Sequence, residues 1–506
     1  MIDVEYINIL RERIDKIKKI NYKKKFKEYK YLLKPLLILI IIYSLAYYPI
    51  IRANYKYIDD MGRVLWGYRN WLDFSRYISE YLSIFVHSST YLTDISPLTQ
   101  IISIILLSIA SVILLYLFKK DKKISFINII SVTPIGLTPY FLECISYKYD
   151  CVYMSLSILA CVFPFVFFDK NKKFDIKFIF SIFVGTLIMC TSYQATSGGI
   201  PMIALFLSFN LWNDKKDKNA LYLLINSAIG YLFGLLFFKI FLMIPTDNYV
   251  SNQIFPLNTI IPGYFTNLFK YYKELVNDFR NIWLYLLISI IIIFVIIQII
   301  KSKKNKIISG LLSYSLIMLS LFLAFGIYPF FTNPLYVPRA MYGLCFPIAL
   351  FTLNIALDNK FIFNKLLVFA FCWTLFTFSF TYGNSLFEQQ KYVDFRVNNV
   401  IDGLNDLEIM NNENVKYIKV QGNIDNAPSI DNMPNDYKII INRLIPISFG
   451  GGGWYWNTAY FAYYFKLKNI IVYEWNLDTT NFEVLKDTMY YKIESDNENH
   501  ILLTLK

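Results

Sequence analysis

Histidine and cysteine are scarce in this sequence of 506 residues, and their scarcity excludes several kinds of site. The two histidines, His87 and His500, are far apart in the chain, so we expect neither a histidine-based metal site nor a Ser-His-Asp triad. The six cysteines show no metal-ligand spacing such as CxxC. We expect them to be small buried residues, with a disulfide between Cys144 and Cys151 as the alternative.

Charge is also scarce, because charged residues make up 17% of the chain, against roughly a quarter in soluble proteins. Hydrophobic residues make up 56%, and the mean hydropathy is +0.41. These values predict a polytopic membrane protein. The net charge is +13, but the lysines form short clusters between apolar runs. This spacing indicates membrane topology and does not favour nucleic-acid binding.

Long apolar runs predict an all-α membrane part with about eleven transmembrane helices. The third run contains Pro134, Gly136 and Pro139, and we expect it to be kinked or broken. The predicted spans lie at about 32–51, 98–118, 125–142, 151–168, a hairpin of two within 178–212, 220–244, 282–300, 307–328, 341–357 and 361–382. The intervening segment 245–281 is expected to be a long outer loop.

Every second connection between these spans is rich in lysine, and this alternation predicts the orientation of the chain. Residues 1–31 are strongly basic, and we expect them to be a cytoplasmic segment that binds anionic lipid. The membrane part would then be residues 32–382, and residues 383–506 would lie on the opposite, extracytoplasmic side. We expect the first membrane helix to serve as its own insertion signal.

Apolar runs shorten to strand length in residues 383–506, which predicts a small α/β domain outside the membrane. The predicted strands are 415–420, 438–441, 470–473 and 501–505, and the predicted helices are about 388–408 and 454–466. Four glycines, Gly450 to Gly453, are expected to form a flexible turn. They are not followed by the GK[ST] sequence that a phosphate-binding loop requires.

Two adjacent carboxylates, Asp59 and Asp60, follow the first span and begin the first outer loop. Neighbouring side chains on a helix point about 100° apart, so we expect the two acids to do different jobs. One would face a central cavity. The other would cap the helix or pair with Arg63. The structural alternative is that both acids only mark the membrane boundary.

An amphipathic pattern follows these acids and predicts a helix that lies in the membrane interface. Its apolar positions are Val64, Leu65, Tyr68, Trp71, Leu72 and Ile78.

Further charged residues fall in the other predicted outer loops and extend the candidate site. Glu143, Lys148 and Asp150 belong to the second outer loop, and Arg339 precedes the tenth span. If these loops converge, a carboxylate would deprotonate a hydroxyl and the cations, Lys148 and Arg339, would hold a phosphate. We expect Glu143 and Asp150 to position the sugar or the acceptor, and Arg63 to contact the substrate as well. The alternatives are a solvated loop of mixed charge and an arginine that reaches towards the membrane surface.

The turn between the fifth and sixth predicted spans contributes two more candidates, Tyr193 and Gln194. The hydroxyl of Tyr193 and the amide of Gln194 can donate and accept hydrogen bonds. We therefore expect both side chains to bind sugar hydroxyls, together with Ser197.

Three short motifs in these loops carry a family resemblance: Tyr57 to Arg63 (YIDDMGR), Pro139 to Glu143 (PYFLE) followed by Ser146 to Asp150 (SYKYD), and Ser192 to Gln194 (SYQ). Together they resemble the bacterial O-antigen glucosyltransferases of Gtr type II, in the GT-C class of membrane glycosyltransferases. The resemblance covers roughly residues 30–385, and the C-terminal part matches no motif. It implies a GT-C fold with an interfacial helix in the first outer loop.

The resemblance also implies a function: transfer of a hexose, glucose in this family, from a polyprenyl-phosphate donor to a cell-surface glycan. The reaction would take place at the outer face of the bacterial cytoplasmic membrane, with Asp60 or Asp59 as the candidate base. We expect an inverting transfer in which Asp60, or failing it Asp59, takes the proton of the acceptor hydroxyl. The expected partners are the donor lipid, the glycan acceptor and membrane lipid, and no nucleic acid.

The sequence contains no residue pattern that requires a metal. Asp59-Asp60 lacks the intervening residue of a DxD motif, and arginine or lysine can neutralise a lipid phosphate. We therefore expect no cofactor and no essential metal, with a divalent metal as the alternative.

Two rival functions remain open from the sequence. The first rival function is a flippase for lipid-linked sugar or polysaccharide without chemistry. The second is a receptor or scaffold that works through residues 383–506.

Overall fold

The computed structural model describes residues 29–119, 122–245, 253–358, 361–411, 413–451, 455–476, 478–496 and 498–506. All of the predicted site residues lie within these ranges. The predicted basic segment 1–31 lies outside the described residues except for its last three positions, as do Gly452 and Gly453 of the predicted glycine turn.

Helices form the membrane part, and the strands of the described chain all follow residue 411. The helices are α1 (Leu33–Ala53), α2 (Asp59–Trp66), α3 (Tyr77–His87), α4 (Leu98–Phe118), α5 (Phe126–Ile130), α6 (Pro134–Leu137), α7 (Pro139–Ser146), α8 (Cys151–Val162), α9 (Ile176–Ser192), α10 (Gly199–Asn213), α11 (Asp217–Phe237), α12 (Ile260–Asp278), α13 (Ile282–Lys301), α14 (Lys306–Leu323), α15 (Pro338–Met341), α16 (Cys345–Ala356), α17 (Ile362–Asp406), α18 (Pro428–Asp431), α19 (Asn435–Leu444) and α20 (Tyr455–Tyr464).

Eight helices of the described part are long and apolar enough to cross a membrane, or nine if the bent pair Phe126–Leu137 and Pro139–Ser146 is one span. This pair bends by 60°, which confirms the break predicted in the third span. Two further predicted spans correspond to shorter apolar helices, Cys151–Phe167 and Ile176–Ser192. Length and composition therefore support a membrane protein with eight or nine full spans, and the count of eleven stays a prediction.

The first predicted outer loop folds as two separate helices, α2 and α3, so the prediction of one continuous interfacial helix is wrong. The chain breaks after α2 at Gly67, whose φ of +57° is a conformation that glycine adopts without steric cost. Asn70 and Ser75 also have positive φ angles before α3 begins. Trp71, expected on the face of a surface helix, is instead 1% exposed and packs inside the protein.

The predicted outer loop 245–281 contains a helix, α12, that the sequence analysis missed. Its buried residues recur at the three- and four-residue spacing of an amphipathic helix. They are Asn267, Leu268, Tyr271, Leu275 and Asp278. This helix packs against the segment Tyr328–Phe330 and against α19 of the C-terminal part.

The last predicted span and the predicted helix over 388–408 are two halves of one 45-residue helix, α17. Positions 382 and 383, where the sequence divides the membrane part from the C-terminal part, are consecutive residues within it. A Cβ atom at Gly383 would lie 2.6 Å from the backbone of Pro49 in α1. Glycine here therefore allows α17 and α1 to pack with their backbones in close contact.

A five-stranded sheet lies in the C-terminal part and confirms the prediction of a small domain containing both helices and strands. Its strands are β1 (Lys416–Gln421), β2 (Ile470–Val472), β3 (Glu483–Asp487), β4 (Tyr491–Ser495) and β5 (His500–Leu505), in the spatial order β2-β1-β5-β4-β3. β1 is parallel to β2 and β5, and the β3–β4–β5 meander is antiparallel. The predicted strands 415–420, 470–473 and 501–505 are thus confirmed, whereas β3 and β4 were missed.

The predicted strand 438–441 is wrong, because these residues belong to helix α19. Ile440, Ile441 and Leu444 are the buried side chains of this helix. They join the hydrophobic core of the membrane part, whereas the sheet has a core of its own. α19 therefore links the C-terminal part to the helices that carry the predicted site residues.

Candidate active site

The candidate site is built around α2, which follows α1 after a short irregular connection. The connection contains two residues with positive φ, Asn54 at +47° and Ile58 at +36°. Asp59 and Asp60 then occupy the first turn of α2, where free backbone N–H groups and the helix dipole favour negative charge. The two carboxylates have different surroundings, as their 100° separation on a helix leads us to expect.

Asp60 is completely buried, and its carboxylate binds two backbone N–H groups. Its Oδ2 accepts hydrogen bonds from the backbone N–H of Lys148 at 3.0 Å and of Tyr57 at 3.3 Å. Its Oδ1 is buried and has no hydrogen-bond partner among the described residues. Burial raises the pKa of Asp60 to about 8, although the N–H of Lys148 and the positive charges of Lys148 and Arg63 favour the ionised form. Asp60 thus ties α2 to the loop between α7 and α8.

Asp59 is partly exposed, and no hydrogen bond to its carboxylate is formed by the described residues. Desolvation by the surrounding protein raises its pKa, and the positive charge of Arg63 opposes this shift most strongly. Arg339 and Arg76 are also close enough to act on Asp59 in the same direction. A carboxylate surrounded by arginines and open on one side is available to a substrate.

Arg63, one turn after Asp59, forms a buried ion pair with Asp150. Trp71 Nε1 donates a hydrogen bond to the other oxygen of Asp150 at 2.5 Å, and the guanidinium of Arg63 lies 4.5 Å from the Trp71 ring centre. The predicted substrate contacts Arg63 and Asp150 are therefore brought together, but they bind each other. Their pairing fixes the position of α2 against the start of α8.

Glu143 and Arg339 form a second ion pair, between α7 and α15. Arg339 Nη1 lies 3.0 Å from Glu143 Oε1, and the backbone N–H of Arg339 also donates to this carboxylate. The Arg339 guanidinium lies 5.6 Å from the ring centre of Tyr147. The hydroxyl of Tyr147 is buried without a hydrogen-bond partner among the described residues, close enough to Asp59 for the two to interact electrostatically.

Lys148 does not join this cluster through its side chain. Its Nζ donates to Asn54 Oδ1 at 2.5 Å and to Asp94 Oδ2 at 3.1 Å. It lines a separate cavity of about 240 Å³ to which no other predicted site residue contributes. Lys148 therefore contributes its backbone N–H to Asp60, and the structure holds its ammonium group away from the predicted phosphate site.

Tyr193 and Gln194 are joined by an arginine that the sequence analysis missed, Arg76. The Arg76 guanidinium lies 4.2 Å from the Tyr193 ring centre, and its Nε lies 3.5 Å from Gln194 Oε1. Arg76 and Gln194 line a small cavity of about 80 Å³ together with Tyr328. The sequence feature that could have identified Arg76 is its basic side chain in the same predicted outer loop as Asp59.

Arg443 of α19 is a second residue that sequence reasoning missed. It forms ion pairs with Asp278 and, at 3.3 Å, with Glu274 of α12. Its Nη2 donates to the carbonyl oxygen of Tyr336 at 2.6 Å, three residues before Arg339. The C-terminal part thus holds the segment that carries Arg339. The wrong strand prediction over 438–441 concealed this contact.

Neither a metal-binding cluster nor a disulfide is present in the described part of the chain. No group of three or more His, Cys, Asp or Glu side chains is arranged to hold a metal ion there. All six cysteines are free and buried. The expectation of small buried cysteines is therefore confirmed, and the alternative disulfide between Cys144 and Cys151 is wrong.

Comparison with known proteins gives one family and one relative. The family model described as Glucosyl transferase GtrII matches residues 48–353. An uncharacterized 55.3 kDa protein in the gtrB 5′ region of Salmonella phage P22 is 26% identical over 248 residues, which are 46% of this chain. The match spans 48% of that phage protein, about half of its length. No solved structure matches the chain. All of the predicted site residues lie within the family match, which ends before the C-terminal sheet.

Proposed function

The chain belongs to the GtrII family of glucosyl transferases, as its sequence motifs indicated, and from this we propose that it transfers glucose to a cell-surface glycan. The donor in this proposal is a polyprenyl-phosphate-linked glucose. The reaction takes place at the outer face of the bacterial cytoplasmic membrane. The lysine-rich alternate connections support this orientation, because basic loops remain in the cytoplasm.

The proposed step is an inverting displacement at the anomeric carbon of glucose. An acceptor hydroxyl forms the new C1–O bond while the bond from C1 to the phosphate oxygen breaks. The phosphate leaves with the bonding electron pair, and Asp59 takes the proton of the acceptor hydroxyl. Its raised pKa supports this role, because a general base is most effective when its pKa lies near the operating pH.

One observation carries the choice of Asp59 over Asp60: Asp59 is the partly exposed member of the pair. Asp60 is 0% exposed, and its Oδ2 is already engaged by two backbone N–H groups. A substrate hydroxyl could reach Asp60 only if this buried connection opened. We therefore propose Asp59 as the base and Asp60 as a residue that positions α2, the reverse of the order that the sequence favoured.

Arg339 and Arg76 are the proposed binding groups for the phosphate of the donor. Both lie close enough to Asp59 to influence its ionisation. Each guanidinium lies over a tyrosine ring, Tyr147 or Tyr193, which restricts its orientation. A planar guanidinium that is held in this way can donate two parallel hydrogen bonds to phosphate oxygens. No metal is needed for this neutralisation.

The test is glucose transfer by the purified full-length chain from a synthetic polyprenyl-phosphoglucose to the surface glycan. We expect Asp59→Asn to lower kcat by a factor of about 10² to 10⁴, the usual contribution of a general base. Asp60→Asn should retain most of its activity wherever it stays folded. Asp73→Asn, in the same loop, is the matched control for the loss of one carboxylate. Full activity of Asp59→Asn would eliminate the proposed base, and the anomeric configuration of the product tests inversion.

A flippase without chemistry is the second candidate, because one observation favours it. A cavity of about 320 Å³ lies at the opposite ends of α4, α10, α13 and α16 from the candidate site. Buried amides line it, among them Asn213, Gln298 and Asn354. Polar groups at both ends of a helix bundle are what a transport path requires. Wild-type chain that moves labelled lipid across a vesicle membrane but transfers no glucose would favour this candidate.

A further inference from the structure

A fourth cavity, of about 300 Å³, lies between α2 and the C-terminal part. Two of its lining residues, Lys56 and Met61, come from the connection before α2 and from α2 itself. The others come from α17, the segment before α20, and α20 with the residues after it. They include Gln390, Asp394, Asn398, Tyr460, Tyr464 and Phe465.

The cavity and the proposed base lie on the same helix, α2. Met61 follows Asp59 by two residues, about 3 Å along the helix axis and about 200° around it, so the two side chains lie on opposite sides of α2. Trp66 follows Asp59 by seven residues, about two turns, and lies on the same side as Asp59. Helix α20 packs against α2, and the ring centre of its Tyr463 lies 5.9 Å from that of Trp66. Helix α20 therefore reaches the side of α2 that carries Asp59, and a chain of sugars in the cavity could extend towards Asp59 past Trp66.

Aromatic rings form one wall of the cavity. Tyr460 and Tyr464 are stacked with ring centres 4.5 Å apart, and Tyr464 and Phe465 are 44% and 39% exposed. Lys56 Nζ lies 4.8 Å from the Tyr464 ring centre. Exposed aromatic rings present flat apolar surfaces on which the C–H face of a sugar ring can stack.

Hydrogen-bonding groups form the opposite wall. Asp394 and Asn398 are exposed and lie one turn apart on α17. Gln390 Nε2 donates to Asp394 Oδ1 at 2.8 Å, which orients that carboxylate. The Tyr460 hydroxyl is buried beside Tyr464 and adds a further polar group to the cavity. A few such polar groups on an otherwise apolar surface are typical of a pocket for a small polar ligand.

We propose that this cavity binds the acceptor glycan, taking the sugar rings next to the one that receives glucose. The proposal rests on the proposed transferase function, and it gives the C-terminal part a role in choosing the acceptor. Sugar rings match both walls, because they combine apolar C–H faces with hydroxyls that donate to a carboxylate and accept from an amide. A lipid tail would leave Asp394, Asn398 and Lys56 without partners on the ligand.

The test measures binding first, without any donor, so that it does not depend on catalysis. The probe is O-polysaccharide released by mild acid from the lipopolysaccharide of the host bacterium and labelled at its reducing end. The protein is the full-length chain in nanodiscs. Tyr464→Ala and Asp394→Asn remove one group from each wall. Tyr473→Ala and Asp402→Asn are the matched controls, an exposed tyrosine on the same domain and an exposed aspartate on the same helix.

We expect each cavity variant to raise the Kd for the polysaccharide about fivefold, the loss of one aromatic or polar contact. In the transfer assay the same variants should raise the KM for the acceptor while kcat and the KM for the donor stay unchanged. Thermal unfolding of each variant identifies any that fails to fold, and Tyr460→Phe, which removes only the buried hydroxyl, then replaces it.

Two outcomes would overturn the inference. One is an unchanged Kd in all folded cavity variants. The other is that the variants weaken binding to vesicles of phosphatidylglycerol and phosphatidylethanolamine but leave polysaccharide binding unchanged. The aromatic wall of the cavity would then be a contact with the membrane. Polysaccharide binding that the variants weaken, in a chain that transfers no glucose, would support the cavity and reject the transferase function. The two proposals can therefore fail separately.

Discussion

We expect Asp60→Asn to make the stability of the folded chain less sensitive to rising pH. Asp60 is completely buried, and burial raises its pKa to about 8 in the folded protein. Asparagine has nearly the same shape, and its Oδ1 can still accept the N–H groups of Lys148 and Tyr57. The substitution therefore removes the titration and keeps the two hydrogen bonds.

The sign follows from comparing the folded and unfolded states. In the unfolded chain Asp60 loses its proton near its ordinary pKa of 3.8, whereas in the folded chain it keeps the proton up to about pH 8. The contribution of Asp60 to stability is therefore complete below its unfolded pKa of 3.8, and it is lost as pH rises to its folded pKa of about 8. Between these values the free energy of unfolding falls by about 1.4 kcal/mol for each pH unit through this one group.

Asp60→Asn lacks this titration. Its free energy of unfolding, relative to that of wild type, should therefore rise by about 1.4 kcal/mol for each pH unit between about pH 4 and about pH 8, and stay constant above about pH 8. The unpaired NH₂ group of the new side chain costs a further amount, about 1–3 kcal/mol, that does not change with pH. The relevant quantity is therefore the slope of the difference, and the absolute stability of either protein is not needed.

The measurement is denaturant unfolding of wild type and Asp60→Asn in the same detergent, at several pH values between about pH 5 and pH 9. Asp73→Asn serves as the control, because it lies in the same loop and is partly exposed. Parallel pH curves for wild type and Asp60→Asn would refute the reasoning. They would mean that Asp60 is ionised in the folded protein throughout this range, and that water or the surrounding charges reach it.

Three further outcomes follow from the structure. Glu143→Gln removes the charge that binds Arg339, and we expect denaturant unfolding to show a loss of about 2 kcal/mol because the hydrogen bonds become neutral. Arg443→Met removes the cation beside the buried carboxylate of Asp278, which keeps the hydrogen bond from the Tyr140 hydroxyl. We expect a cost of about 3 kcal/mol that Asp278→Asn in the same chain should partly restore. Gly343→Ala places a Cβ 2.6 Å from two backbone carbonyl oxygens, and we expect thermal unfolding to show a loss of about 1–3 kcal/mol.

The membrane helices could be predicted because their signal lies within single runs of sequence. An apolar run that is long enough to cross a bilayer must satisfy its own backbone hydrogen bonds, and a helix does so locally. The break in the third span was equally local, since Pro139 cannot continue the preceding helix. The apolar helices over 151–167 and 176–192 are shorter than the other candidate spans, so the count of eleven stays a prediction.

The spacing of the neighbouring apolar residues explains why the strand predicted over 438–441 is a helix. The run Ile439-Ile440-Ile441 suggested a strand because β-branched residues favour extended backbone. A longer window includes Tyr437 and Leu444, which with Ile440 and Ile441 recur at helical spacing and pack into the membrane part. Burial of this face outweighs the weak intrinsic preference of isoleucine for strands.

The charged residues of the site could be found from sequence, but their partners could not. Loop position alone identified Arg63, Glu143 and Asp150 as candidates. Nothing in one sequence specifies that Arg63 pairs with Asp150, or that Arg76 lies against Tyr193, because these contacts join residues far apart in the chain. They depend on how the loops pack, which is a property of the folded helices.

These pairings also explain why two adjacent aspartates would divide their work. Of the four predicted site carboxylates, three are engaged within the described part of the chain: Asp60 by backbone N–H groups, Glu143 by Arg339 and Asp150 by Arg63. Each connection joins segments far apart in sequence, so together they fix α2, α7 and α15 around the remaining carboxylate. A general base must be held in position but free to accept a proton, and a base with its own hydrogen-bond donors would lose this freedom. Asp59 meets both conditions because the neighbouring acids supply the connections.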